Sequence, residues 1–425
     1  MENLSFKNGD KLVIIGGGFA GLQLAKSLQN KNIKVLLVDK QNHHQFQPLL
    51  YQIASARLEP ASISFPFRKV FQNYNNIDFR MADVEKILPA SKKILTSSGQ
   101  ISYDHLVIAT GCKTNYFGNE QMSQNALSMK TTQEAIKIRN RILISFEQEI
   151  FASEEEKIAI NNIIIVGAGP TGVELSGAFA ELKKNILPKD YPSLDFSRLN
   201  IILVEGSKNT LNNMSDEAKH ASRKYLEELG VIVRTETIIN TYDGENAILS
   251  TGEVIPTKNV IWAAGVTGNI VSGLEDEDII RNRYIVDRYN RLKNHPNIYA
   301  LGDVAYMETP KYSKGHPQVA NVAINQAKNL GNNIINTLRE KPIKEYEYSD
   351  LGLMATIGKH KAVVDLPFFK FHGVLAWYIW MFLHLMLILS VRNKLIIFIN
   401  WAWSYVTKDT SLRLILVSDK KKEKN

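Results

Sequence analysis

The chain has 425 residues, of which 44% are hydrophobic and 22% charged, a composition of globular rather than disordered proteins. This length predicts two or three domains. The only cysteine, Cys112, excludes an intramolecular disulfide and any enzyme that works through a redox-active cysteine pair, and it fits a reducing compartment. The net charge of +8, to which residues 420–424 contribute, favours anionic lipid over nucleic acid, because no nucleic-acid-binding module is visible. Residues 1–11 lack the apolar run of a signal peptide.

The first predicted element is a buried strand at residues 12–15, followed by Gly16, Gly18 and Gly21 in G-x-G-x-x-G spacing and by an apolar-periodic helix. Such glycines allow a tight turn, close approach of the backbone to a pyrophosphate, and packing of the helix on the strand. The helix N-terminus offers free N–H groups to the phosphates. The next predicted strand ends in Asp39, which is placed to bind a ribose. Together these features predict a dinucleotide site.

The same pattern occurs a second time. A strand at 162–166 precedes Gly167, Gly169 and Gly172, and the strand after the next helix ends in Glu205. The similarity continues further along, because residues 97–111 and 250–265 both contain an apolar strand that ends in a small residue and glycine. The sequence therefore predicts two dinucleotide-binding folds and two nucleotides.

The two nucleotides are expected to differ. Residues 41–70, which follow Asp39, have no counterpart in the second copy, and this favours FAD in the first fold and a nicotinamide nucleotide in the second. Glu205 favours a ribose 2′-hydroxyl and repels a 2′-phosphate, so NADH is predicted over NADPH. Lys208 lies close in sequence and would weaken that discrimination.

Further along, a strand at 297–301 runs into Asp303, whose carboxylate suits a flavin ribityl hydroxyl. The alternative is that Asp303 caps the next helix or turn. A helix is predicted at 319–338, and short strands at 345–365 with a turn at Gly358.

The C-terminal region is strongly apolar. Residues 374–391 contain one strongly polar side chain, His384, and a basic segment at 392–394 separates them from a second apolar run at 395–406. The first run is at the lower limit for spanning a bilayer, and the second is too short. The pattern predicts a helical hairpin that dips into one leaflet. The alternatives are a single spanning helix and a helix pair buried in a homodimer interface.

Over almost its whole length, the chain resembles the two-dinucleotide-binding-domain flavoproteins, and within them the type II NADH:quinone oxidoreductases. The motifs that carry the resemblance are NHHQFQPLLYQIA (42–54), GPTGVELSGAFAEL (169–182) and MATIGKHKAV (354–363), with the apolar tail after them. The resemblance implies an α/β fold with two Rossmann-like domains. The FAD-binding domain would be discontinuous (1–120 and 270–340), the NADH-binding domain would be inserted in it (121–269), and a membrane-associated helical region would follow (341–425).

The resemblance also implies site residues. Those expected to hold non-covalent FAD are Gly16, Gly18, Gly21, Asp39, Thr110, Gly111 and Asp303, with Gln47, Pro48 and Leu49 beside the flavin. Those expected to hold NADH are Gly167, Gly169, Gly172, Glu174, Glu205 and Gly265.

The quinone signature of the family, A-Q-x-A-x-Q, reads A-N-V-A-I-N at 320–325. Asn321 and Asn325 thus replace two glutamines and keep an amide on a shorter side chain. Gln318 and Gln326 are neighbouring residues whose longer side chains would contact the quinone in place of the two replaced glutamines. No group of residues has metal-ligand spacing, so no metal is predicted.

Glu174 is the predicted catalytic residue. It lies one turn into the helix that would hold the NADH pyrophosphate, where it would hydrogen-bond the nicotinamide or relay a proton to quinol. The alternative role is favourable interaction with the helix dipole. His43 and His44 are interpreted as ordinary hydrogen-bond partners.

The function that these features predict is oxidation of NADH through FAD by a membrane quinone, in a monotopic protein on the reducing, cytoplasmic side of the membrane. The protein would form a homodimer, bind lipid and bind no nucleic acid. It would not pump protons, because the apolar tail carries no chain of ionisable residues. The alternatives are an NADH-dependent flavoprotein reductase of a small redox protein and an FAD- and NADH-binding redox sensor.

Overall fold

A computed structural model describes residues 4–407 and 412–415, so the lysines at 420–424 lie outside the described residues. The chain forms two compact units, each built from three segments. The first comprises Met1–Gln45, Phe65–Lys113 and Val266–Asp350, and the second comprises Phe46–Ser64, Thr114–Gly265 and Leu351–Asn425.

The first unit is built on a six-stranded sheet that is parallel except for one edge strand. Its central strands are continuous apolar runs, as expected for a parallel sheet covered on both faces. The helices Phe19–Ser27 and Ala320–Thr337 pack against each other. In sheet order, the strands are Arg291–Leu292, His295–Ala300, His105–Ile108, Lys11–Ile15, Lys34–Asp39 and Ile77–Met81.

The second unit has a five-stranded sheet that is parallel throughout. Its order is Leu127–Ser128, Asn259–Trp262, Asn162–Val166, Asn200–Val204 and Val231–Arg234. The helices Thr132–Glu149, Pro170–Asn185 and Asp216–Glu228 belong to this unit. A capping box formed by Thr131 and Glu134 begins the first of them.

Smaller antiparallel or mixed sheets complete both units. In the first unit they are Val84–Leu88, Lys93–Thr96 and Gly99–Ser102, and Ile279–Ile280, Arg283–Ile285 and Ala305–Tyr306. In the second they are Ile239–Tyr242, Asn246–Leu249 and Val254–Pro256, and Leu353–Thr356, Ala362–Asp365 and Lys370–His372. The remaining short elements are the strands His43–Gln45, Ser64–Pro66, Cys112–Thr114 and Val266–Gly268 and the helices Leu50–Ala54, Phe67–Phe71, Glu120–Asn125, Glu154–Ile160 and Leu187–Asp190.

The predicted α/β class is therefore confirmed, and each unit contains one strand–glycine turn–helix motif. The helix predicted at 319–338 is Ala320–Thr337, and the predicted turn at Gly358 lies between two paired strands. The predicted domain bounds, which state which residues bind which cofactor, stay a prediction.

The apolar C-terminal region forms two helices, Val374–Leu387 and Val391–Thr407, which we call the first and second C-terminal helices. The sequence placed the break between them at the basic segment 392–394, and this was wrong. The first helix ends where Ile388 adopts an extended backbone. The basic segment lies in the first turn of the second helix, where the side-chain amide of Asn393 donates to the carbonyl oxygens of Ala61 (3.0 Å) and Ser62 (2.8 Å).

This break also bears on the alternative of a single spanning helix. Helicity stops after Leu387, so residues 374–391 do not form one continuous helix. Across the ranges 4–407 and 412–415, every helix is too short or too polar to cross a bilayer.

Candidate active site

The glycine turn of the first unit is sterically restricted to glycine. Gly16 has φ +98°, and a Cβ there would lie 2.4 Å from the Ala109 carbonyl oxygen. A Cβ on Gly21 would lie 1.9 Å from the carbonyl oxygen of Gly16, so the helix packs on the turn without space for a side chain. At Gly18, in contrast, an added Cβ meets nothing within 4 Å. The space in front of the helix N-terminus is thus open, as a pyrophosphate requires.

Asp39 fixes this turn. Its carboxylate accepts hydrogen bonds from the backbone N–H groups of Gly17 (2.6 Å) and Gln41 (2.7 Å). Burial raises the pKa of Asp39, and these two bonds oppose that rise. On the other side of the turn, Nδ1 of His44 is 3.0 Å from the Gly17 carbonyl oxygen. Burial lowers the pKa of His44 to about 4, so the imidazole is neutral and Nδ1 acts as the donor.

The second unit repeats this geometry. Gly167 has φ +99°, and a Cβ on Gly172 would lie 1.8 Å from the Gly167 carbonyl oxygen, whereas a Cβ on Gly169 meets nothing within 4 Å. Glu205 accepts hydrogen bonds from the backbone N–H of Ala168 (2.6 Å) and from the backbone and hydroxyl of Ser207 (both 2.8 Å). Two carboxylates at equivalent strand ends therefore hold equivalent glycine turns.

Thr110, Gly111 and Gly265 follow strands of the two sheets. The hydroxyl of Thr110 donates to the Asn269 carbonyl oxygen at 2.6 Å. Gly111 (φ +68°) and Gly265 (φ +70°) both have left-handed backbones, which allow the chain to turn away at the strand end. Gln47 lies in the second unit, and its side-chain amide donates to the Lys130 carbonyl oxygen at 3.4 Å.

The predicted quinone residues lie in the first unit, beside Asp303. Oε1 of Gln326 accepts the Gly302 N–H at 2.7 Å, and Nε2 of Gln318 donates to the Asp303 carbonyl oxygen at 2.8 Å. The Gln318 Nε2 and Gln326 Oε1 atoms therefore stabilise the segment that carries Asp303. Asn321 and Asn325 are half-buried on the helix Ala320–Thr337.

A partly open cavity lies within the second unit. Its wall is formed by the segment after Phe46, the helix Pro170–Asn185, the end of the strand Leu353–Thr356 with the turn that follows it, and both C-terminal helices. The lining residues are Tyr51, Gln52, Arg57, Glu174, Ala178, Glu181, Thr356, Gly358, Lys359, Trp377, Trp380, Met381, Trp401, Ser404 and Tyr405.

Glu174 lies on this wall and is 8% exposed. Burial raises the pKa of its carboxyl group well above the usual value, and a hydrogen bond of 3.4 Å from the Thr356 N–H to Oε1 opposes the rise. The protonated form is therefore favoured. A buried carboxylic acid in a cavity can donate a hydrogen bond or a proton.

A chain of hydrogen bonds runs along the same wall. Nε1 of Trp401 donates to Oε1 of Gln52 at 2.8 Å, and Nε2 of Gln52 donates to the Tyr51 hydroxyl at 2.9 Å. The Tyr51 hydroxyl is 3.1 Å from Oγ1 of Thr356. Burial raises the pKa of Tyr51, and nearby Glu174 raises it further, so the phenol keeps its proton.

A charged group occupies another part of the wall. Glu181 pairs with the Arg57 guanidinium and accepts the backbone N–H of Lys359. Nζ of Lys359 donates to the carbonyl oxygens of Tyr405 (2.9 Å) and Ser404 (3.3 Å) in the last turn of the second C-terminal helix. A cation at a helix C-terminus is favourable, because the last carbonyl groups carry partial negative charge.

Sequence reasoning identified Glu174 but not its partners on the cavity wall. Tyr51, Gln52 and Thr356 lie inside two motifs that were quoted for the resemblance, yet nothing in those motifs assigned them a role. No cluster of potential metal ligands occurs in the part of the chain that the structure describes.

Two family models and several known proteins are similar to this chain over most of its length. The family model "Pyridine nucleotide-disulphide oxidoreductase" matches residues 10–327, and the model "NDH2 C-terminal domain" matches residues 351–408. The type II NADH:quinone oxidoreductase Ndh of Mycobacterium tuberculosis is 31% identical over 420 residues, covering 93% of this chain and 88% of that protein. The chain belongs to the type II NADH:quinone oxidoreductases.

Other similar proteins are more distant. A probable NADH dehydrogenase of Dictyostelium discoideum is 28% identical, covering 92% of this chain and 88% of that protein. The structure of NDH2 from Plasmodium falciparum in complex with NADH has a TM-score of 0.89 at 21% identity, covering 96% of this chain and all of that chain. The sulfide:quinone oxidoreductase of Aquifex aeolicus has a TM-score of 0.72 at 21% identity, covering 91% and 92%. At such identities these two structures establish the fold alone.

The raised pKa of Glu174 predicts that the difference in stability between wild type and the Glu174→Gln variant depends on pH. A group whose pKa rises on folding stabilises the protein below its unfolded pKa, and that contribution is lost as the pH rises towards the folded pKa. Glu174→Gln keeps the shape and cannot ionise. We therefore expect the free energy of unfolding of this variant, relative to wild type, to increase as the pH rises above about 4.5, the usual pKa of a glutamate, by at most about 1.4 kcal/mol per pH unit.

Denaturant titrations at several pH values measure this difference. Glu217→Gln, at an exposed position in the same unit, is the matched control and should show no such trend. If the difference for Glu174→Gln does not change with pH, the interpretation of a buried protonated carboxyl is wrong.

Proposed function

We propose that this chain oxidises NADH through a non-covalently bound FAD and reduces a membrane quinone. The observation that carries the proposal is the cavity of the second unit. Its wall combines the helix that follows the second glycine turn with both helices of the region matched by the NDH2 C-terminal domain. One cavity wall thus includes the helix expected to hold NADH and the helices expected to meet the membrane.

The two glycine turns fit the two nucleotides. In each unit the space beyond Gly18 or Gly169 is open, and the helix N-terminus directs backbone N–H groups into it. We assign FAD to the first turn, with Asp39, and NADH to the second, with Glu205. When bound, FAD accepts a hydride from NADH and supplies two electrons to the quinone. The protein binds and orients the two nucleotides and excludes water.

We assign quinone binding to the cavity, and contact of the quinone with Gln318, Asn321, Asn325 or Gln326, none of which lines it, stays a prediction. Three tryptophans, Trp377, Trp380 and Trp401, line it and suit a planar aromatic head group. Glu174 and the Tyr51–Thr356 pair supply hydrogen-bonding groups on the same wall. Protonated Glu174 is the group of this wall best suited to give a proton to a quinone oxygen as electrons arrive.

The C-terminal helices are proposed to bind the membrane surface. Large apolar side chains remain exposed on both helices. A monomeric protein in water rarely exposes so much contiguous apolar surface, whereas a lipid interface covers it. Attachment of this kind places a lipid-soluble quinone next to the cavity. The exposed residues include Leu375, Tyr378, Phe382, Met386, Leu387, Leu395, Phe398, Ile399 and Trp403. A location on the reducing side of the membrane and a homodimer remain predictions.

Detergent-extracted protein tests the whole proposal. We expect an oxidised-flavin absorbance spectrum with about one FAD per chain, and NADH oxidation that accelerates strongly when a quinone is added. Ferricyanide, a water-soluble acceptor, measures the NADH half-reaction separately. If flavin-loaded protein oxidises NADH with ferricyanide but with no quinone, the chain is a different NADH-dependent flavoprotein.

A substitution at Glu205 should change cofactor preference. Its carboxylate is held at the strand end by three hydrogen bonds and would repel a 2′-phosphate. We expect Glu205→Gln to narrow the NADH/NADPH ratio of kcat/KM by about tenfold, equivalent to roughly 1.4 kcal/mol, with FAD content unchanged. Glu236→Gln, at an exposed position of the same unit, is the control. An unchanged ratio would place discrimination elsewhere, for example at Lys208.

Charged substitutions on the C-terminal helices should release the protein from membranes. Leu375, Phe382 and Phe398 are 66%, 62% and 54% exposed and do not line the cavity. With Leu375→Glu, Phe382→Glu and Phe398→Glu combined, we expect co-sedimentation with anionic phosphatidylglycerol vesicles to be lost, because burying a charge in the interface is costly. Ferricyanide activity should remain, and activity with a long-chain quinone in vesicles should fall.

The matched control is Phe151→Glu, which is 90% exposed outside the C-terminal helices. It should leave vesicle binding unchanged. Full vesicle binding by the triple variant would show that these helices are not the membrane contact.

A further inference from the structure

We infer that the hydroxyl of Thr356 donates a hydrogen bond to a carbonyl oxygen of the bound quinone. Three other side chains of the cavity wall, Trp401, Gln52 and Tyr51, fix the direction of this hydrogen bond. The inference rests on the proposed function, since it requires the quinone to occupy the cavity.

The series of hydrogen bonds from Trp401 through Gln52 and Tyr51 to Thr356 has a fixed direction, because Trp401 can only donate. An indole Nε1–H has no acceptor capacity, so Gln52 must present its oxygen to Trp401 (2.8 Å). The amide nitrogen of Gln52 then lies 2.9 Å from the Tyr51 hydroxyl and donates to it. This removes the usual ambiguity of amide orientation and makes the Tyr51 oxygen an acceptor.

The hydrogen bond between Tyr51 and Thr356 runs in the same donor-to-acceptor direction. With its oxygen accepting from Gln52, the Tyr51 hydroxyl uses its own proton for Oγ1 of Thr356 at 3.1 Å, because hydrogen bonds in a chain strengthen each other when they run head to tail. The Thr356 oxygen thereby accepts, and its own hydrogen remains to be donated. In residues 4–407 and 412–415, Oγ1 of Thr356 makes no hydrogen bond other than the one with Tyr51.

The free hydrogen belongs to a residue of the cavity wall. Thr356 lines the cavity and is 4% exposed, and Tyr51 and Gln52 are each 5% exposed. A buried donor without an acceptor is costly, so a ligand that brings an acceptor is favoured there. The carbonyl oxygen of a quinone is such an acceptor, and no acid–base group is required of Thr356.

Glu174 strengthens the donor character of this part of the cavity. Its carboxyl oxygen lies 3.4 Å from the Thr356 backbone N–H, so the acid and the hydroxyl are held on the same stretch of wall. As electrons reach the quinone, negative charge develops on its oxygen. A pre-oriented donor stabilises that charge more strongly in a buried site than in water.

Two substitutions at Thr356 test the inference. Thr356→Val removes the hydroxyl with nearly the same shape, and we expect kcat/KM for a short-chain benzoquinone to fall about tenfold, with ferricyanide-dependent NADH oxidation unchanged. Thr356→Ser restores a hydroxyl and should recover most of the quinone rate. Thr257→Val is the matched control, since Thr257 is buried and its hydroxyl donates to a backbone carbonyl (Asn162, 2.6 Å) outside the cavity.

Tyr51→Phe tests whether the series of hydrogen bonds orients the Thr356 hydroxyl. It leaves the Thr356 hydroxyl in place without its partner, so we expect a loss of about threefold, smaller than that of Thr356→Val. A normal quinone kcat/KM in Thr356→Val, or a larger loss in Tyr51→Phe, would overturn the assignment of the donor to Thr356. Failure of the wild-type protein to reduce any quinone would instead refute the proposed function.

Discussion

In each unit, a carboxylate at the end of the second strand of the dinucleotide fold accepts a hydrogen bond from the backbone of the glycine turn. The distance is 2.6 Å for Asp39 to Gly17 and 2.6 Å for Glu205 to Ala168. This bond ties the turn to the neighbouring strand, so the helix N-terminus and the strand end form one rigid edge. The proposed nucleotide binding depends on that edge, because the phosphates and the ribose must meet their partners at the same time.

The second C-terminal helix is held to its own unit by polar contacts along its length. Asn393 in its first turn donates to two backbone carbonyls, Trp401 donates to Gln52, and the carbonyl groups of its last turn accept from Lys359. A helix that served only as an anchor would need none of these buried contacts. Because they fix the helix as a wall of the cavity, the proposed membrane binding and the proposed quinone binding depend on the same element.

Several buried polar side chains of the cavity wall are held by other elements of the same unit. Glu181, for example, accepts hydrogen bonds from both Arg57 and Lys359. Such pairing limits the cost of burial and holds the side chains in fixed orientations. The site is therefore pre-organised before any ligand enters it, which reduces the ordering cost of binding.

The sequence by itself determined the two dinucleotide folds, because their signals are local. A buried strand, three glycines at fixed spacing and an acidic strand end lie within a few tens of residues, and steric limits at Gly16 and Gly167 leave glycine as the only choice. It also determined that the C-terminal region is apolar and helical. It did not determine where that region breaks, because a polar interruption between two apolar runs predicts a turn, whereas here the segment is helical and the amide of Asn393 binds the carbonyls of Ala61 and Ser62. Tertiary structure alone brought Gln52, Thr356 and Trp401 to the wall that carries Glu174. These four residues come from parts of the chain that are far apart in sequence, and the fit of buried donors to buried acceptors decides which of them meet.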